Sequence, residues 1–215
     1  FDDLVAERLA EVHDRIARAG GEGVTVLPVT KTFGVEACWA AFRAGCTAVG
    51  ENYAQELATK AMALADLKDL RWHMIGPLQR NKAKLVVPVA KVVHTVDRPE
   101  LAEELSKRAA GTGKTPQVLL EVNVAGEASK AGCTPEGAVG LAALVRELPH
   151  LDLVGLMTIP PDTDDRELAR PFFRRLRELR DALGGGLAEL SMGMSHDFEI
   201  AIEEGATIVR VGTAI

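Results

Sequence analysis

Short apolar runs alternate with longer amphipathic ones eight times along the chain, and that alternation constrains the fold more than any other feature. Strands are expected at residues 24–29, 47–49, 71–75, 92–96, 117–124, 152–159, 189–191 and 207–211. Helical stretches lie between them, and one more precedes the first strand at residues 2–19. They include residues 52–65, 78–89, 165–183 and 197–204, and the segment around Trp39 and Phe42 that ends at Gly45. Start and stop signals agree. Asp97 precedes Pro99 and Glu100 as a helix cap, and Thr134-Pro135-Glu136 opens another helix. Phe172, Leu176, Leu179 and Leu183 recur at helical spacing before Gly184-Gly185-Gly186. A strand–helix alternation of this kind demands parallel strands with crossover helices. Eight repeats favour an α/β fold closed as a single (β/α)8 TIM barrel over an open sheet. At 215 residues the chain is short for that barrel, so its loops must be short. One domain over residues 1–215 is expected, since no linker, low-complexity tract or repeat divides the chain.

Composition removes several function classes. With 25 Lys+Arg against 31 Asp+Glu the net charge is -6, which argues against general nucleic-acid or anionic-membrane binding. No apolar run reaches bilayer-spanning length, and no signal peptide opens the sequence as given. Cys38, Cys46 and Cys133 are odd in number and widely spaced, so neither a disulfide framework nor a zinc site is expected. The five histidines have no metal-ligand spacing. A reduced, cytoplasmic protein is the simplest reading. The sequence starts at Phe1 without Met and stops at Ile215 in mid-pattern, which suggests residues beyond both ends.

In such a barrel the chemistry sits where strands end. Lys31 ends the first strand. A lysine held in the mouth of a barrel loses solvation, which lowers its pKa and suits Schiff-base chemistry; a solvated strand-end lysine is the plain alternative. Gly212-Thr213 follows the eighth strand and Ser191 to Ser195 the seventh, the usual phosphate-binding loops of this barrel. Gly212 allows close backbone approach, while Ser195 and Thr213 offer hydroxyls. Ser195 also precedes a short helix whose dipole favours an anion, although plain capping by Ser195 or Asp197 explains that position as well. Arg210, flanked by Val209 and Val211, should point into the barrel and needs a partner there, either a carboxylate or a ligand. His73 lies in a strand and reads best as a hydrogen-bonded core residue. Arg170, Arg174, Arg175, Arg177 and Arg180 are interleaved with Glu178 and Asp181 and read as a solvated helix face. Two lookalikes fail. Residues 111–115 lack the first P-loop glycine, and Asp197 replaces the closing glycine of a nucleophile elbow.

The assembled motifs resemble one family, the pyridoxal phosphate homeostasis proteins. The matching segments run in order over nearly the whole chain. They include Val29-Thr30-Lys31-Thr32, Gly50-Glu51-Asn52-Tyr53-Ala54-Gln55-Glu56, Trp72-His73-Met74-Ile75-Gly76 and Leu78-Gln79-Arg80-Asn81-Lys82. Gly155-Leu156-Met157-Thr158-Ile159-Pro160, Ser191-Met192-Gly193-Met194-Ser195 and Arg210-Val211-Gly212-Thr213-Ala214-Ile215 follow. Pro77 departs from the family pattern. The resemblance implies a fold-type III barrel like the N-terminal domain of alanine racemase. It also implies pyridoxal 5′-phosphate as an internal aldimine on Lys31. Ser195, Gly212 and Thr213 would hold the phosphate, Arg210 would face the pyridine nitrogen, and Asn52 would line the pocket.

An arginine only donates hydrogen bonds, so it would keep the pyridine nitrogen unprotonated and the ring a weak electron sink. With no second domain and no second base, little turnover is expected. The implied function is therefore a non-catalytic pyridoxal phosphate-binding protein that stores, buffers or delivers the cofactor and so affects amino-acid and keto-acid balance. Apoenzymes that use pyridoxal phosphate would be the recipients, and a monomer is expected. Two alternatives are a weak racemase or decarboxylase, and a Schiff-base aldolase in which Lys31 attacks a substrate carbonyl.

Overall fold

The computed structural model describes all residues, 1–215. Helix α1 (Asp2–Arg18) comes first, and eight strands then alternate with seven more helices. The strands are β1 (Thr25–Pro28), β2 (Ala48–Glu51), β3 (Arg71–Met74), β4 (Ala90–Val96), β5 (Gln117–Glu121), β6 (Asp152–Met157), β7 (Glu189–Met194) and β8 (Ile208–Val211). The helices between them are α2 (Val35–Arg43), α3 (Ala54–Ala63), α4 (Ala83–Val86), α5 (Pro99–Thr112), α6 (Pro135–Glu147), α7 (Arg170–Leu183) and α8 (Phe198–Glu203). All strand pairs are parallel, in the order β1-β8-β7-β6-β5-β4-β3-β2. The remaining gap, between β1 and β2, is closed by one parallel bridge, Val29↔Gly50, with the Thr30 N–H donating to the Gly50 carbonyl at 3.0 Å. The result is a nearly closed (β/α)8 barrel.

Two apolar regions follow from strand alternation. Outward strand residues such as Val49, Val93, Leu120, Val209 and Val211 join the helix faces in one cluster of 49 buried residues. On α1 the contribution is Val5, Leu9, Val12 and Ile16, a stripe at helical spacing. Inside the ring the apolar filling is small: Leu27, Ala48, Ile75 and Ile208 on one side, Val92, Leu119 and Met157 on the other. The rest of the interior is polar.

Local departures from the sequence reading have local causes. The helix expected over residues 78–89 is only a 3-10 turn, Arg80–Lys82, followed by the four-residue α4. Val87 still has helical dihedrals, but Pro88 has no backbone N–H to continue the i→i−4 ladder, and the segment ends there. Asp97 does not cap α5. Arg98 holds the cap position, and the Asp97 carboxylate instead accepts from Arg98 at 2.6 Å and from the Gly132 N–H at 3.3 Å. Thr134 does cap α6, accepting from the Gly137 N–H at 2.9 Å. On α7 Phe173, rather than Phe172, is the fully buried phenylalanine, beside Leu176. No helix is long and apolar enough to cross a membrane.

Candidate functional site

The C-terminal ends of the strands bring the candidate residues onto one face of the ring. Strands β1 and β8 are neighbours in register Leu27↔Arg210 and Pro28↔Val211, and the Val29 N–H donates to the Val211 carbonyl at 2.9 Å. Lys31 and Gly212 therefore emerge from adjacent strand ends. Lys31 is exposed, so the desolvation expected of a lysine inside the mouth is not met. It occupies the second position of a four-residue turn in which the Phe33 N–H donates to the Thr30 carbonyl at 3.2 Å. The third position, Thr32, has φ 68°, a left-handed conformation that is strained for a β-branched residue.

Asn52 follows β2 across the gap from β1. Its backbone packs so closely on Gly76 that a Cβ there would sit 2.0 Å from the Asn52 carbonyl oxygen. Only glycine permits that approach. Asn52 and Tyr53 open onto a surface cavity of about 440 Å³ with Pro77, Leu78, Gln79 and Lys82.

Ser195 does not cap α8. Asp197 holds the N-cap position, but its side chain makes no capping bond. The Asp197 carboxylate accepts from the Met194 N–H at 2.8 Å instead. The Ser195 hydroxyl accepts from two backbone donors past β8, the Gly212 and Ala214 N–H groups, each at 3.2 Å. Two N–H groups aimed at one oxygen, with the hydroxyl proton still to donate, form a cup suited to phosphate oxygens. A Cβ on Gly212 would meet only Val29, at an ordinary 3.5 Å. Internal packing therefore does not call for glycine there. The bare backbone leaves the Gly212 N–H accessible beside the Ser195 hydroxyl, so the residues present fit a phosphate group. Thr213 is exposed.

Arg210 points inward and is 3% exposed, as the alternation predicts, but it has no carboxylate within hydrogen-bonding distance. It donates to the Ser191 hydroxyl at 2.6 Å and to the Thr158 carbonyl at 3.1 Å. Burial pushes its pKa down to about 10, against the pull of Glu121 and Asp197, which leaves it charged at neutral pH. The Ser191 hydroxyl that accepts from Arg210 also hydrogen-bonds His94 Nδ1, 2.8 Å away. His94 Nε2 and His73 Nδ1 share a further hydrogen bond at 2.9 Å. A polar chain thus crosses the barrel from Arg210 to His73, which borders a cavity of about 140 Å³ at the opposite mouth. Both imidazoles are held neutral by burial, His73 down to about 4.

Three elements of the site escaped the sequence reading. His94 continues the chain from His73, and an apolar strand around a histidine carries no signal of such pairing. Glu121, at the end of β5, is buried, and its Oε2 has no hydrogen-bond partner. Burial and the Asp97 charge raise it to about 7, with Arg210 opposing. Beneath Lys31, Lys60 joins Glu51 and Glu56 in an ion cluster. Strand and helix periodicity exposes none of these cross-element contacts.

The profile of the alanine racemase N-terminal domain family matches residues 5–215. The chain is 47% identical over 219 residues to the pyridoxal phosphate homeostasis protein of Aquifex aeolicus, covering 97% of this chain and 96% of the relative. It is also 47% identical to the protein of that name from Pseudomonas aeruginosa, covering 98% of this chain and 94% of the relative. The solved structure of PipY from Synechococcus elongatus PCC7942, with PLP bound, superposes with a TM-score of 0.89 at 34% identity, covering 98% of each chain.

Proposed function

Because the chain belongs to the pyridoxal phosphate homeostasis protein family, we propose that it is a single-domain binding protein for pyridoxal 5′-phosphate that stores, buffers or delivers the cofactor without turning over a substrate. The observation that carries this reading is the Ser195 cup, two backbone N–H groups converging on one hydroxyl, one strand away from Lys31. When bound, pyridoxal phosphate supplies an aldehyde for a lysine amine and a phosphate dianion for the cup.

The chain's own residues divide the remaining tasks. Ser195 and the loop of Gly212 and Thr213 hold the phosphate, joined by the Ala214 N–H. Lys31, exposed on the neighbouring strand end, supplies the amine. Asn52 lines the pocket from the far side of the gap. Arg210 faces the pyridine nitrogen. It is charged and has no acceptor, so it holds its protons on the guanidinium and leaves the ring nitrogen unprotonated. Little electron withdrawal is then available to stabilise a substrate carbanion, which favours binding over catalysis. The family name of the relatives supports the same reading. Three free cysteines fit a reducing compartment such as the cytoplasm. Apoenzymes are the expected recipients, and a monomer the expected state.

The test is a visible absorption spectrum of the protein before and after borohydride, with intact mass, on the parent and on Lys31→Ala. The expected result is a yellow band that borohydride abolishes and a pyridoxyl-phosphate mass increment located on Lys31. A colourless protein that takes up no added pyridoxal phosphate would overturn the reading. Saturable turnover of an amino acid that Lys31→Ala abolishes would overturn its non-catalytic half.

A further inference from the structure

The turn that carries Lys31 is gripped on both sides by one buried ion cluster. On the N-terminal side, the Lys60 ammonium donates to the Thr30 carbonyl at 2.7 Å. The Thr30 hydroxyl donates to Glu51 Oε1 at 2.5 Å. On the C-terminal side, the Thr32 N–H donates to Glu56 Oε1 at 2.8 Å. Lys60 ties the two sides together, pairing with Glu51 at 2.7 Å and Glu56 at 3.0 Å. Its side chain is 6% exposed and that of Glu51 0%. Burial opposes the charge on Lys60, but the two carboxylates outweigh it and raise its proton affinity above that of an ordinary lysine.

Such a cluster is an expensive way to stabilise a fold, because buried ions lose hydration that apolar residues would not need. Its placement has a second consequence. Thr32 holds a left-handed φ of 68°, and strained backbone persists only where the surroundings over-determine it. Here the bonds to residues 30 and 32 over-determine the one residue between them, while Lys31 itself stays free and exposed.

We propose that Lys60, acting with Glu56 and Glu51, is a positioning residue for Lys31, fixing the strained turn so that the lysine amine is delivered to a ligand held by the Ser195 cup. The inference rests on the pyridoxal phosphate reading above. Lys60 does not touch the ligand. In the step it serves, the Lys31 ammonium gives a proton to solvent. Its nitrogen then bonds the aldehyde carbon as the carbon–oxygen bond breaks, and the oxygen leaves as water with the two remaining amine protons. Rate and binding should therefore separate. The cup sets how well pyridoxal phosphate is held before attachment, and the turn sets how fast Lys31 then captures it.

The experiment measures borohydride-trappable attachment to Lys31 against pyridoxal phosphate concentration, yielding a limiting rate and a half-saturating concentration. The proteins are the parent, Lys60→Met, Glu56→Ala and Glu56→Gln, each with its thermal midpoint recorded. Misplacing the amine should lower the limiting rate about tenfold in Lys60→Met and Glu56→Ala and leave half-saturation within about twofold of the parent. Glu56→Gln keeps an oxygen for the Thr32 N–H and should stay near the parental rate. Should Lys60→Met fail to fold, the Glu56 pair decides alone. Unchanged limiting rates, a change confined to half-saturation, or equal rates in Glu56→Ala and Glu56→Gln would overturn the proposal while leaving the cofactor reading intact. A parent that captures no pyridoxal phosphate would overturn both.

Discussion

Glu121 is the residue whose environment conflicts most with its chemistry. It is buried at the end of β5 with one carboxylate oxygen unpartnered, and its pKa is raised to about 7 by burial and by Asp97. A carboxyl whose folded-state pKa is raised contributes stability below its unfolded value and loses it as pH climbs through the folded value. Between the ordinary carboxylate range and about pH 7, ionising Glu121 therefore weakens the fold. Glu121→Gln removes that ionisation while keeping the shape. It should be more stable to urea than the parent at pH 8, by at most about 3 kcal/mol, and match it near pH 4. Equal midpoints at both pH values would show that the carboxylate is compensated in the folded chain. The neighbouring Arg210 is the contrasting case. Its inward direction follows from strand alternation, but its partners, a serine hydroxyl and a backbone carbonyl, come from β7 and the end of β6, which no local pattern in β8 can specify.

At the scale of elements, the arginines of α7 do more than coat a helix with charge. Arg170, Arg174 and Arg177 converge on Glu204, just past α8, at 3.4, 2.9 and 3.1 Å. The Glu204 side chain is only 6% exposed, and hydrogen bonding from Arg174, supported by Arg170, holds its carboxyl below the usual range. These bonds fasten α7 to the helix that precedes β8 and its phosphate loop. Glu204→Ala should lower stability at pH 7 by about 1–2 kcal/mol, less at high salt because the arginines are solvated. The deficit should shrink as pH falls through the depressed Glu204 value, since the parent then loses the same charge. A variant as stable as the parent in low salt would show that the cluster is ornamental. Element positions were legible because amphipathic period and strand length are local properties. The strand-end residues Lys31, Ser195, Arg210 and Gly212 were legible because barrel topology names the ends to inspect. Glu121, His94, Lys60 and the Glu204 cluster were not, since each is defined by what a distant segment brings against it.

For the whole molecule, ligand binding and folding form one linked equilibrium. A ligand that binds only the folded chain stabilises it by about 2.7 kcal/mol at a hundredfold excess over its dissociation constant. For a chain of this length that corresponds to a rise of roughly 5–10 °C in the thermal midpoint. Pyridoxal phosphate should produce such a rise in the parent and a smaller one in Lys31→Ala, read by scanning calorimetry. No rise in the parent would contradict folded-state binding. The ring also has one weak joint. Seven of its junctions are ladders of paired residues, and the eighth is the single bridge Val29↔Gly50. Lys31 and Asn52 each lie two residues past that bridge, on opposite sides of it. A ligand held by both, as the proposed site requires, would act as a staple across that joint, joining by its own length two strand ends that the backbone links by a single bridge.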